Sequence, residues 1–148
     1  MSKWTHVAGI IRVDTIVALT GGNPRHDLLD VLGPVSTFHV PRDDTTLPYG
    51  SEGSLEYDII RTGTDNSMSW GYVAIYGDLR DYTDHLEIID WLEKTVNDIY
   101  AKGIWIRNVS MCIDVESNPT TYMVHWHTDM DEDNQGLIVT EYPKIRSD

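Results

Sequence analysis

Trp70-Gly71-Tyr72-Val73-Ala74-Ile75-Tyr76-Gly77, followed shortly by the segment from Asp84 to Gly103, decides the architecture. In an extended chain successive side chains point to opposite faces, so Trp70, Tyr72, Ala74 and Tyr76 share one face while Gly71, Val73, Ile75 and Gly77 share the other. The second segment changes period. Leu86, Ile88, Ile89, Leu92, Val96, Ile99 and Tyr100 recur at spacings of three and four, which places them on one side of a helix. Glu87, Asp90, Glu93, Lys94, Asn97 and Asp98 are left on the wet side. Asp84 and Glu87 form a D-x-x-E variant of the capping box, and Gly103 supplies the stop.

Working outward, Leu55, Tyr57 and Ile59 alternate with Glu56 and Asp58, and a turn over Thr62 to Ser67 joins them to the strand from Met68 to Gly77 as a hairpin. Upstream, the β-branched stretch from Thr5 to Val17 reads as a strand broken by Gly21-Gly22. Asn23-Pro24 then starts a short helix that ends at Leu32 before Gly33-Pro34. Val35 to Val40 suits a brief extended piece, and Arg42 to Ser54 is the longest irregular stretch, hence a candidate for ligand contact or an interface. Downstream, strands are expected over Ile104 to Glu116, Thr120 to His127 and Gly136 to Tyr142. The first six elements follow the order of a ferredoxin-like split βαβ sandwich. The expectation is an α+β domain spanning 1–148, with two helices on one face of an antiparallel sheet, extended by a C-terminal β-hairpin. Val73 and Ile75 then pack beneath the helices and Trp70, Tyr72 and Tyr76 face away. Such an aromatic face needs a cover, from the last strands, a second copy or a ligand.

The chain has 148 residues, 41% of them hydrophobic, which suits one globular domain with its own core. Its formal net charge is −13, and a field of that sign repels phosphate backbones and anionic headgroups, arguing against general nucleic-acid or membrane binding. No apolar run approaches the roughly 20 residues that cross a bilayer. The N-terminal residues lack the pattern of a secretory signal, which points to the cytoplasm. Cys112 is the only cysteine, so an internal disulfide and a multi-cysteine zinc site are both excluded. Its neighbours Met111 and Ile113 suggest a strand thiol rather than a nucleophile.

Four constellations can carry chemistry. His125 and His127, two apart on a strand, project from one face, and with Asp129 they form a candidate divalent-metal set. The H-x-H-x-D order resembles the start of the metal motif of metallo-β-lactamase-type hydrolases, but Met130 follows and no histidine lies downstream, so the resemblance is local. The run from Asp129 to Gly136 alternates carboxylates as a calcium loop does, yet Asn134 and Thr140 stand where an EF-hand needs Gly and Glu. The Gly50 to Gly53 turn lets backbone amides approach an anion, and Ser51 there, with Arg12, Arg107, Tyr72 and Tyr76, forms a candidate site for a nucleotide-like anion. The last is charge itself. Residues 75–148 hold 15 acidic and 6 basic side chains against 9 and 5 in residues 1–74. Glu87, Asp90 and Glu93 on the helix, with Asp131, Glu132 and Asp133 near the C-terminus, form a candidate surface for a basic protein partner.

No complete catalytic set is visible. The leading expectation is a small acidic binding protein, an inhibitor- or immunity-type module for a basic partner, without a required cofactor. The alternatives are a small-anion binder and a metal-dependent enzyme at His125, His127 and Asp129. A homodimer suits the exposed edges and the aromatic face.

Overall fold

The computed structural model describes residues 2–35, 46–64, 66–127 and 136–145. The chain is α+β, with six antiparallel strands in the order β2-β3-β1-β4-β5-β6. These strands are β1 (Trp4–Asp14), β2 (Glu56–Arg61), β3 (Ser69–Arg80), β4 (Trp105–Val115), β5 (Thr120–His127) and β6 (Gly136–Pro143). Two helices, α2 (Pro24–Leu32) and α3 (His85–Ala101), follow β1 and β3, and a single turn, α1 (Val17–Thr20), precedes α2. No helix among the described residues is long and apolar enough to cross a membrane.

β1 occupies the middle. Its inward side chains Val7, Ile11 and Val13 are buried, as period-two alternation demands. The register sets Ile11 opposite both Val73 and Val109, so the three central strands present one continuous apolar face. That face joins Leu28 and Leu32 of α2 and Ile88, Leu92, Val96 and Ile99 of α3 in one core. Both helices are capped as their sequences require: the Asn23 side chain accepts from the His26 amide at 3.2 Å, and that of Asp84 from the Glu87 amide at 3.2 Å. Lys102 Nζ donates to Asp30 Oδ2 at 2.8 Å, tying the end of α3 to α2.

Several details differ from the sequence expectation. The first strand stops at Asp14, where a bulge breaks its register with β3, and Val17 to Thr20 coil instead of continuing the strand. Trp70 turns inward. Asp14 pairs with Ser69 and Val13 with Gly71, which leaves Trp70 as the extra residue, and it is only 2% exposed. The last two strands do not cover the sheet; β5 pairs with β4 and β6 with β5, so this C-terminal pair widens it at one edge. With six strands, the sheet as a whole does not match the four-stranded ferredoxin-like topology. The expected extended piece at Val35 to Val40 falls, after Val35, outside the described residues, as does the loop before Thr46. The rest of that loop is pinned to the end of β3, since Ser51 N donates to Arg80 O and Arg80 N to Glu52 O, each at 2.9 Å. Gly53, at φ 78°, lies so close to the Asp78 carbonyl that no side chain fits.

Gly9 marks the tightest point at the centre. A Cβ there would stand 2.6 Å from the Ser110 carbonyl oxygen and 2.7 Å from Met111 Cβ, so β1 and β4 would have to part. Gly9→Ala is expected to lower the unfolding free energy by about 1–3 kcal/mol. Urea denaturation reads this directly, and an unchanged midpoint would contradict the packing described.

Candidate functional site

The acidic side of α3 borders a groove. Glu87, Asp90, Trp91 and Lys94 follow the i, i+3, i+4, i+7 spacing of one helical stripe, which brings them into a single row. With Tyr49 from the 46–54 segment and Tyr82 just before the helix, they line a depression of about 590 Å³. Lys94 Nζ reaches Asp98 Oδ2 at 2.7 Å, so its charge is locally matched. Glu93 lies beside the groove, in a shallower depression shared with Asp90 and Asp98. Tyr82 is 9% exposed, and its buried hydroxyl has no hydrogen-bond partner among the described residues. Burial pushes its phenol well above the usual tyrosine range, and the negative charge of Glu87 adds to the effect. The groove thus combines carboxylates with aromatic rings. Asp131, Glu132 and Asp133 lie outside the described residues.

The residues expected to bind an anion are spread along the other side of the sheet. Arg12 stacks over Tyr72, with its guanidinium carbon 5.6 Å from the ring centre, and donates from Nη2 to Ser69 Oγ at 3.1 Å. Arg107 does not join them. The ladder pairs Arg12 with Asn108 and Val13 with Ile106, leaving Arg107 in a bulge where its Nη1 lies 3.5 Å from Asp14 Oδ2. Two bulges therefore fall at the same end of β1. Buried polar atoms without partners among the described residues collect there too: Arg12 Nε, Asp14 Oδ1 and Trp70 Nε1. Tyr76 donates to Asp58 Oδ2 at 2.8 Å, and Ser51 sits at the far end of β3, donating to Asp81 Oδ2 at 2.8 Å. The Ser51 hydroxyl helps hold the Asp81 carboxyl below its ordinary value.

His125 and His127 are exposed on β5, with Ser110 and Ile138 flanking His125. Asp129 lies outside the described residues, and no group of three His, Cys, Asp or Glu side chains suited to a metal occurs among those described. Cys112 is half-buried on the same side of the sheet, and burial, aided by Asp114, pushes its thiol up.

One cluster escaped the sequence reading. His6 Nδ1 lies 2.6 Å from Asp78 Oδ1 and its Nε2 lies 2.6 Å from Glu116 Oε1, so both ring nitrogens face carboxylates on the flanking strands. Next to it Asp114 pairs with Lys144 at 2.6 Å. Asp78 continues the alternation of Tyr72, Ala74 and Tyr76, which places it on this face; that His6 meets it depends on the β1–β3 register.

The chain matches no protein-family model, no curated protein and no solved structure. Its function has to be argued from the geometry alone.

Both nitrogens of His6 can donate only in the imidazolium form, and the hydrogen bonds to Asp78 and then Glu116 raise its pKa above the ordinary 6.5. A raised folded-state pKa contributes stability that is complete below the unfolded value and disappears as pH climbs through the folded one. Melting temperature is therefore expected to fall as pH rises from about 6.5 through the raised value. In His6→Gln the slope across that window should flatten, whereas an equal slope in both proteins would show that the cluster does not couple to folding.

Proposed function

We propose that the chain is a small acidic, non-enzymatic interaction protein of the cytoplasm, an inhibitor- or immunity-type module that receives a basic segment of a protein partner along α3. The carrying observation is the placement of Glu87, Asp90 and Trp91 in one groove with Tyr82 and Tyr49. Carboxylates make charge-assisted hydrogen bonds to ammonium and guanidinium groups, and aromatic faces attract the same cations. A net charge of −13 adds long-range steering toward a basic partner.

A second reading, a small anionic ligand on the sheet, draws support from the stacking of Arg12 on Tyr72, but Arg107 is engaged with Asp14 and Ser51 is remote. For the fold, the partial order β2-β3-β1-β4, with a helix in each crossover, supports reading the first part of the chain as a split βαβ unit of ferredoxin-like type.

Calorimetric titration with a nona-arginine peptide tests the main reading. Glu87→Gln with Asp90→Asn removes two charges from the groove, and Glu56→Gln with Glu141→Gln removes two from exposed sites on the outer strands. The groove variant is expected to bind at least about tenfold more weakly, the loss of one or two charge-assisted hydrogen bonds. The control should change little. Equal losses in both would mean that the peptide senses only overall charge, and the groove would lose its role.

A further inference from the structure

Among the described residues, nothing covers the centre of the sheet face opposite the helices. Ala8 lies in the middle of the central strand and is nevertheless exposed, as is its neighbour Tyr76 at 38%. β5 and β6 extend this face sideways, adding Met123 and Ile138, the latter 40% exposed. From the registers, the two central rows read Ala74, Ile10, Ser110, His125, Ile138 and Tyr76, Ala8, Cys112, Met123, Thr140. Most of these side chains are small or apolar, and carboxylates enter the two rows only at the β2 edge, where Asp58 continues the first and Glu56 the second. Charges stand at the ends. Arg12 lies at one end of β1, and the row of Asp78, His6 and Asp114, with Glu116 beside it, lies at the other. An apolar middle with charged margins is the anatomy of a protein interface.

We propose that this face docks against a second copy of the same chain, sheet to sheet, about a two-fold axis that lies between the two sheets, runs across the strands and passes over Gly9 of β1. Such an axis reverses the strands, so Arg12 of each copy meets the carboxylates around His6 of the other. Along the central strands the face is thereby complementary to itself, the condition a two-fold interface imposes, and the Asp58 and Glu56 carboxylates of the two copies meet only at the β2 margin. Its size is sufficient. Six strands about 4.8 Å apart, each contributing about nine residues at about 3.3 Å, cover roughly 800–900 Å² per copy, against about 800 Å² per partner in a standard stable interface. The acidic groove on α3 lies on the other side of the sheet and remains open in such a dimer, so this inference stands apart from the proposed function.

Sedimentation equilibrium of the full chain from micromolar to about 100 micromolar tests it. The expected mass is twice the monomer's 16.9 kDa. Ala8→Glu and, independently, Ser110→Glu place a charge at the middle of the face, where both side chains are exposed in the single chain. Each should give a folded monomer with unchanged far-ultraviolet circular dichroism. Arg12→Glu should weaken the dimer at least tenfold, and adding Asp78→Arg should restore it by exchanging the paired charges. A wild-type chain that stays monomeric overturns the proposal, and so does a dimer that survives both central substitutions, which would have to form through the β6 edge or the helices.

Discussion

The pairing of β1 with a neighbour on each side is the constraint on which the rest of the molecule depends. Its backbone is satisfied by β3 and β4 together, and its inward side chains form the floor on which the helices rest. Because side chains alternate with a period of two, the register that buries Val7, Ile11 and Val13 also fixes what projects on the other side: His6, Ala8, Ile10 and Arg12. A slip by one residue would bury Arg12 and expose Ile11. Core formation and the arrangement of the exposed charges are therefore a single choice, enforced at Gly9 by the closeness of the Ser110 carbonyl.

Much of this is legible in the sequence, because the signals are local. Asn23-Pro24 and Asp84 start helices through bonds to amides three residues away, and those bonds are present in the folded chain. Alternation likewise locates the strands to within a few residues. What fails is what depends on two strands at once. Trp70 turns inward because a residue is gained in β3 relative to β1, and Arg107 swings to Asp14 because one is gained in β4; neither bulge has a sequence mark of its own. The acidic row of Glu87 and Asp90 was visible from helical spacing. That Tyr49 and Tyr82 would join it depends on how the 46–54 segment is pinned along β3, which is tertiary.

The two sides of the sheet consequently differ in character. On the helix side, acidic groups sit beside aromatic rings, one of which, Tyr82, has its phenol pushed up by burial. On the other side, several acids have partners in place: His6 lies between Asp78 and Glu116, Lys144 pairs with Asp114, and Tyr76 donates to Asp58. A large negative total thus coexists with a sheet surface on which several acids have partners in place.

The long reach of the central pairings also sets the order in which the molecule can be assembled. Trp4 waits for Arg80 and Thr5 for Val115, so β1 leaves a ribosome long before it can gain both neighbours. Closing loops of that length is entropically costly before any contact rewards it. The apolar residues of β1 must pass through most of synthesis without their final partners. For this chain, folding is a late event, and the interval before β4 emerges is when its centre is most exposed to the wrong company.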